Sequence, residues 1–329
     1  SYGVQKMAKR NALIRKLPSV ETLGSVDVIC TDKTGTLTHN EMTVTKIWAD
    51  GSLYDVTGSG YETAGSFLLR GKEVNAKSLQ TMLKIGALCN DAEFDKKKKV
   101  IGDPTEAALL ISAEKAGLLR AKLEQEEPRV DEISFSSERK MMTTIHKTAS
   151  GKVSYTKGAP DILLKYCNSI LINGSVQRLD RKKKDEILQQ NETLAGNALR
   201  VLGFGYKIKV QEKEDAEKDM IFVGLQAMID PPRKEVKEAI QKCTDAGIRV
   251  VMITGDQLST AKAIAAQIGI TGDAIGGEEL NQIKNLALHI EDINIFARVD
   301  PEHKLRIVEA LKKKGHTVAV TGDGINDAP

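Results

Sequence analysis

Three short β-rich runs in this chain stop in the same way. Val26–Cys30 runs into Thr31-Asp32, Ile248–Ile253 into Thr254-Gly255-Asp256, and Thr317–Val320 into Thr321-Gly322-Asp323. Helical patterns precede the last two. Glu235–Ala246 carries Val236, Ala239, Ile240 and Cys243 at helix spacing and ends at Gly247. Glu302–Lys314 carries Leu305, Ile307, Val308 and Leu311, starts after Pro301 and ends at Gly315. Proline near the start and glycine past the end are the usual helix punctuation. A fourth run, Ile293–Val299, leads into Asp300-Pro301. Strands separated by helices predict crossover units and a parallel sheet, and near-continuous apolar runs fit burial on both faces. Ligands of such sheets bind beyond the carboxyl ends of the strands. Asp32, Asp256 and Asp323 are therefore expected on one rim, with Asp327 near them.

The first of these acids is far from the others in sequence. A parallel crossover does not need the stretch between Asp32 and Asp256, so that stretch reads as a second domain inserted into the first. Its character differs. It has alternating strand-like pieces (Val153–Thr156, Ser169–Ile172), turn signals (Asn173-Gly174, Ser150-Gly151) and polar helices such as Arg181–Asn191. An antiparallel sheet with helices is the expectation. The predicted fold class is α/β: a parallel-sheet domain of residues 1–41 and 230–329, with residues 42–229 as an inserted α+β domain.

Length agrees, because single cores stop growing at about 250–300 residues and this chain has 329. Apolar residues at 41% and charged residues at 28% exclude a disordered tail, a collagen-like chain and a coiled coil. Lys plus Arg is 48 against 45 acids, and aromatics are 4%, so neither a basic face nor stacking platforms point to nucleic acid. No run approaches the ~20 apolar residues that span a bilayer, and no signal peptide opens the chain, so it reads as soluble. The scattered Cys30, Cys89, Cys167 and Cys243 read as core thiols. Lys96–Lys99 reads as a solvated loop. Gly58-Ser59-Gly60 lacks a third glycine, and Gly65–Lys72 has the wrong spacing for a phosphate loop, with Glu73 where Ser or Thr is needed. Both read as turns.

Carboxylates on one rim repel by about 4 kcal/mol per pair at ~4 Å and an effective dielectric near 20. Either one is protonated or a cation is present. Oxygen ligands without His or Cys favour Mg²⁺. The loops Lys33-Thr34-Gly35-Thr36, Thr254-Gly255-Asp256 and Gly322-Asp323-Gly324 let backbone N–H groups approach an anion. Acids, Gly and Thr together suggest Mg-dependent phosphoryl chemistry. A single Thr-Asp pair could merely cap a helix; three at strand ends point further.

The string Asp32-Lys33-Thr34-Gly35-Thr36-Leu37-Thr38 resembles the phosphorylation motif of P-type ATPases, cation pumps that form an aspartyl-phosphate. Thr254-Gly255-Asp256 and the run from Thr321 to Pro329 resemble two further motifs of that family, in the same order. Asp230-Pro231-Pro232-Arg233 resembles its hinge. The resemblance covers essentially the whole chain. It implies a haloacid-dehalogenase-like phosphorylation domain with an inserted nucleotide-binding domain. It makes Asp32 the nucleophile toward the γ-phosphate of ATP, a role that suits a carboxylate. Mg²⁺ would be held by Asp32, the Thr34 carbonyl and Asp323, with Asp327 alongside. Thr34, Thr254, Gly255 and Asn326 would donate to the phosphoryl oxygens, and Lys304 would neutralise the transferring group. Lys33 and Asp256 complete the implied catalytic set.

The same resemblance marks the insertion. Gly102-Asp103-Pro104-Thr105-Glu106 and Lys157-Gly158-Ala159-Pro160 look like nucleotide-pocket motifs. Phe135 would stack on adenine, with Glu106, Lys140, Lys157, Gly158 and Arg200 lining the pocket; the alternative, a core ring, fits less well with the polar stretch Ser136-Ser137-Glu138-Arg139-Lys140 that follows it. Ser137 stands where calcium pumps commonly carry Arg. Leu17–Gly24 and Gly102–Glu106 resemble the type II pumps, and the calcium-pump branch is most similar.

The resemblance further implies that more of this domain follows Pro329. It also implies membrane helices and an actuator domain elsewhere, as partners that this chain does not contain. The implied location is the cytoplasmic side of a membrane, and the transported cation would bind in those helices. Residues 1–24 would derive from a stalk. Two other readings stand beside this one. A soluble haloacid-dehalogenase-like phosphatase would place a second Asp where Thr34 stands. A pure binding module would hold ATP without reacting.

Overall fold

The computed structural model describes residues 2–9, 18–95 and 100–322. The chain divides into two compact units, Ser1–His39 with Pro232–Pro329, and Asn40–Pro231.

The first unit is built on a five-stranded sheet. From one edge the strands are Asp273–Gly276, Ile293–Ala297, Arg249–Ile253, Val28–Asp32 and Val318–Thr321, and every neighbouring pair is parallel. Helices Val236–Asp245, Leu258–Ile268 and Pro301–Lys313 are crossovers. Val28, Cys30, Val251, Ile253, Ile293, Phe296, Ile307 and Leu311 share one buried cluster. Burial pushes the Cys30 thiol up to about 12, which makes it an inert core group.

The first strand starts at Val28, two residues later than the apolar run suggested, because Asp27 does another job. Its carboxylate accepts from the Thr317 N–H at 2.8 Å and pairs with His316 Nδ1 at 2.9 Å. His316 Nε2 lies 3.2 Å from Glu291, which also pairs with Arg249 at 3.3 Å. Asp27, His316, Glu291 and Arg249 thus tie together the amino-terminal ends of four parallel strands. The edge strand Asp273–Gly276 has no counterpart in the sequence reading.

The second unit carries an eleven-stranded sheet. Its main path runs Lys72–Val74, Phe67–Leu69, Ser52–Val56, Thr43–Ala49, Met220–Ile229, Arg200–Ile208, Gly151–Gly158, Met141–Thr148, Arg129–Ser136. Pairing is antiparallel except where Cys167–Ile172 lies parallel to Met220–Ile229. That one parallel pair departs from the all-antiparallel expectation. The Asn173-Gly174 signal does form a hairpin, joining Cys167–Ile172 to Ser175–Arg178. Gly65–Lys72, expected to be only a turn, contains the strand Phe67–Leu69. Met220–Ile229 is buried along its whole length and is central. Helices Gln80–Leu88 and Pro104–Lys115 pack on this sheet through Met82, Leu83, Ile85, Leu109 and Leu110. Cys89 and Cys167 are buried and Cys243 is half-buried, and all are free thiols. The basic run 96–99 lies outside the described residues.

The His316 cluster gives unit one a pH signature. Hydrogen bonding to Asp27 holds the His316 ring above its ordinary value, and the same bond holds Asp27 below the usual carboxylate range. A raised histidine contributes stability that is complete below its unfolded value near 6.5 and is lost as pH rises through its folded value. The lowered Asp27 contributes above its unfolded value near 3.9 and loses that contribution as pH falls. His316→Gln should therefore lower the unfolding midpoint more at pH 6 than at pH 8.5. Equal lowering at both, measured by thermal denaturation, would show that the ring acts only by packing.

Candidate functional site

Parallel register fixes the first candidate site. Asp32 pairs with Ile253 and Thr31 with Thr321, so the ends of three strands share one rim. Thr31 and Thr321 are linked through their hydroxyls at 2.8 Å. Beyond Asp32 the chain turns sharply. Thr34 (φ −73°, ψ 129°) and Gly35 (φ 74°, ψ −27°) have the dihedrals of a type II turn, which needs glycine at its second central position. The wider 33–38 loop that contains this turn is closed by the Thr38 N–H, which donates to the Lys33 carbonyl at 3.0 Å.

Among the described residues two ion pairs occupy this rim. The Asp32 carboxylate accepts from the Thr34 N–H at 3.0 Å through Oδ1 and from Lys304 Nζ at 2.6 Å through Oδ2. Both partners of the second contact are 17% exposed, so the charges are largely withdrawn from water. Lys33, almost fully buried, pairs with Asp256 at 2.9 Å. Thr254 is buried, and its hydroxyl accepts from the Asp256 N–H at 3.1 Å. Gly255 between them is exposed.

Lys304 is set by its helix. Asp300 caps Pro301–Lys313 by accepting from the His303 N–H at 2.9 Å, and His303 is held by Asn281 at 2.8 Å. Pro301 fills the first turn, where no N–H is needed. A lysine in a first turn opposes the helix dipole, and here its charge is spent on Asp32. The structure thus brings together Asp32, Lys33, Thr34, Thr254, Gly255, Asp256 and Lys304. Asp323, Asn326 and Asp327 lie outside the described residues. The oxygen donors in hand, the Asp32 carboxylate and the Thr34 carbonyl, suit a hard cation such as Mg²⁺.

The second candidate site lies at one end of the large sheet. Ser136 pairs with Met141, Met141 with Gly158, and Gly158 with Gly203. This row carries Phe135, Lys140, Lys157 and Gly158 to the same end, and Arg200 precedes Gly203 on its strand. Phe135 is 64% exposed, which answers the alternative that it is a core ring. Gly158 is required by close approach, since a Cβ there would stand 2.6 Å from the Lys140 carbonyl. Lys157 is buried, donates to the Cys89 carbonyl at 2.6 Å and forms an ion pair with Glu106. Glu106 also accepts from the Asp91 N–H at 3.1 Å. Asp103 caps the Pro104–Lys115 helix, and Arg200 donates to the Thr105 hydroxyl at 2.5 Å. Glu106, Lys157 and Arg200 therefore meet around one helix start. Ser137 is exposed, and the neighbouring Arg139 instead pairs with Glu217 at 2.6 Å.

Sequence reasoning missed Glu217, which also accepts from the Thr143 hydroxyl at 2.7 Å and so braces the 136–143 turn. Nothing in its surroundings, Glu214-Asp215-Ala216-Glu217-Lys218, marks it out. It also missed Arg233 as a contact of the 33–37 loop: its guanidinium donates to the Gly35 carbonyl at 2.7 Å. The Asp230–Arg233 motif was the signal, but it names no partner.

Comparison with known proteins bears on the family of the chain. A family model described as P-type ATPase, cytoplasmic domain N, matches residues 78–235. The whole chain aligns with a calcium-transporting ATPase of Bacillus subtilis at 46% identity, covering 39% of that protein. It aligns over its full length with the cation-transporting ATPase pma1 of Synechocystis at 47% identity, covering 38% of it. A calcium-transporting ATPase of Lactococcus lactis is 42% identical, with 37% of it covered. The chain thus spans less than two fifths of the length of each of these curated relatives. Among the described residues no helix is long and apolar enough to cross a membrane. The family model over residues 78–235 and the alignment of the whole chain to named pumps converge: this chain belongs to the P-type ATPase family.

Proposed function

We propose that this chain is the ATP-binding and aspartyl-phosphorylating headpiece of a P-type cation pump. ATP would bind at the Phe135–Arg200 end of the large sheet, and its γ-phosphoryl group would pass to Asp32. The observation that carries the reading is the Asp32 carboxylate at the end of a buried parallel strand. It is held between a backbone N–H at 3.0 Å and a lysine at 2.6 Å.

The reaction balances without a proton. An Asp32 oxygen attacks the γ-phosphorus, the bond from that phosphorus to the β,γ-bridging oxygen breaks, and ADP leaves. Charge builds on the equatorial phosphoryl oxygens, and preorganised cations are the main device that stabilises it. Lys304 is the cation nearest the nucleophile. The Lys33–Asp256 pair fixes the neighbouring loop and holds a second positive charge at the rim. Thr34, Thr254, Gly255 and Asn326 supply donors. Asp32, the Thr34 carbonyl and Asp323, with Asp327 alongside, would hold Mg²⁺, which when bound neutralises phosphate charge and orients the transferring group. The residue two positions after the nucleophile is Thr34, which is no general base, so water attack on the acyl-phosphate is slow. That suits a pump that stores the intermediate and distinguishes it from a phosphatase.

The relatives named as calcium- or cation-transporting extend the reading to a transported cation, with Ca²⁺ the favoured ion. The rest of such a pump, its membrane and actuator parts, would be the partners, and the headpiece would work on the cytoplasmic side. A haloacid-dehalogenase-like architecture for unit one belongs to the same proposal.

With Mg²⁺ and γ-labelled ATP, the chain should acquire acid-stable, hydroxylamine-labile label on Asp32. Asp32→Asn should abolish the label while ATP binding persists. Label retained in that variant would remove Asp32 as the acceptor.

Lys304→Ala should slow labelling by about 10²–10³-fold, the scale for losing one electrostatic stabiliser. An unchanged single-turnover rate would exclude it from the mechanism.

Phe135→Ala should weaken ATP binding by about 1–3 kcal/mol, the scale of one base–aromatic contact. Calorimetry that finds equal affinity in both proteins would place adenine elsewhere.

A further inference from the structure

Arg233 is the last residue of the Asp230–Arg233 segment; its carbonyl accepts from the Val236 N–H at 3.1 Å, and its own N–H and guanidinium all donate to one loop. Its N–H donates to the Leu37 carbonyl at 2.9 Å, and its neighbour Pro232 forms an antiparallel bridge with Thr38. Its guanidinium donates through Nη2 to the Gly35 carbonyl at 2.7 Å and through Nε to the Thr36 carbonyl at 3.2 Å. Three consecutive carbonyls of the turn after Asp32 are therefore held by one residue. Among the described residues Arg233 makes no ion pair with a carboxylate.

That choice of partner is informative. A half-buried guanidinium is planar and suited to a bidentate carboxylate, yet here it is spent on neutral peptide groups. Gly35, whose carbonyl it takes, has the positive φ of 74° that the turn requires. Across a trans peptide the N–H points opposite to the C=O. With the carbonyls of Gly35 and Thr36 drawn to Arg233, the N–H groups of Thr36 and Leu37 face away from it. A fixed positive charge on the carbonyl side also polarises these peptides so that their N–H ends are better donors.

We propose that Arg233 is a positioning residue for phosphoryl transfer. It fixes the Lys33–Leu37 turn so that the Thr34 N–H and the Asp32 carboxylate keep the geometry the reaction needs. It touches neither the reacting atoms nor the nucleotide. The proposal rests on Asp32 being the phosphoryl acceptor.

Arg233→Ala and Arg233→Lys test it. Lysine keeps the charge but cannot span two carbonyls in a fixed fork. At saturating ATP both variants should label Asp32 about 10–100-fold more slowly, the scale of a small misplacement at a reacting centre. The half-saturating ATP concentration should stay within about twofold, a split that general unfolding would not produce. Added guanidinium ion should partly restore the rate of Arg233→Ala and not that of Arg233→Lys. Amide exchange at residues 34–37 should speed up in both variants, while exchange in Val28–Asp32 should not. Labelling rates within about twofold of the unsubstituted chain, or a half-saturation that shifts in step with the rate, would overturn the proposal. An unsubstituted chain that takes no label would overturn the Asp32 reading and the catalytic role together, and unchanged exchange at 34–37 would separately show that Arg233 does not hold the turn.

Discussion

The Asp32 carboxylate is held at the end of a buried strand by Lys304 and the Thr34 N–H, and the elements around it are arranged for that contact. Taking an ion out of water costs several kcal/mol. The Asp32–Lys304 contact returns about 4 kcal/mol or more at an effective dielectric near 20, and the Thr34 N–H adds a charge-assisted hydrogen bond. Lys304 can provide this only because Asp300 and Pro301 start its helix where they do, after a strand lying two places from Asp32 in the sheet. The Lys33–Asp256 pair repeats the device one residue further along. Among the described residues of this rim, Asp32 and Asp256 are each paired with a lysine, and those lysines come from different parts of the chain.

Chemistry is proposed at the carboxyl-terminal rim, and the opposite rim is the fastened one. Asp27, His316, Glu291 and Arg249 satisfy one another at the strand starts, with the Arg249 guanidinium also donating to the Ile290 and Ile293 carbonyls at 2.6 and 2.8 Å. The fastened rim is thus the one where no chemistry is proposed.

Much of this was legible. Short apolar runs that stop at Thr-Asp, with punctuated helices between them, are enough to place Asp32, Ile253 and Thr321 at the same end of a parallel sheet. Pairing then depends on period and twist, not on side-chain detail. The edge strand Asp273–Gly276 was not legible, because four residues with two apolar side chains carry no periodicity. Phe135 was legible as an exposed ring from its polar neighbours, and the structure leaves it 64% exposed. Glu217 and the reach of Arg233 were hidden for a common reason: each acts through a contact between segments distant in sequence, and local pattern says nothing about such contacts. Thr105, which holds Arg200, sat inside a motif read for other residues.

The insertion poses a physical problem that the structure answers locally. Residues 40–231 leave unit one after His39 and return at Pro232. An open loop of that length would carry a large closure entropy, although the cost grows only with the logarithm of length. Here the two ends are fastened on both sides of the crossing. Thr38 bridges Pro232 within unit one, and the Glu41 N–H donates to Asp230 at 3.2 Å within unit two. Once the ends are fixed to each other, the sheet meets the insertion as a short paired strap rather than as a long loop, so Val28–Asp32 can pair with Arg249–Ile253 as though the crossover were direct. The same strap carries Arg233 to the turn after Asp32. The residues that close the split domain are thus neighbours in sequence of the one that contacts the loop after Asp32.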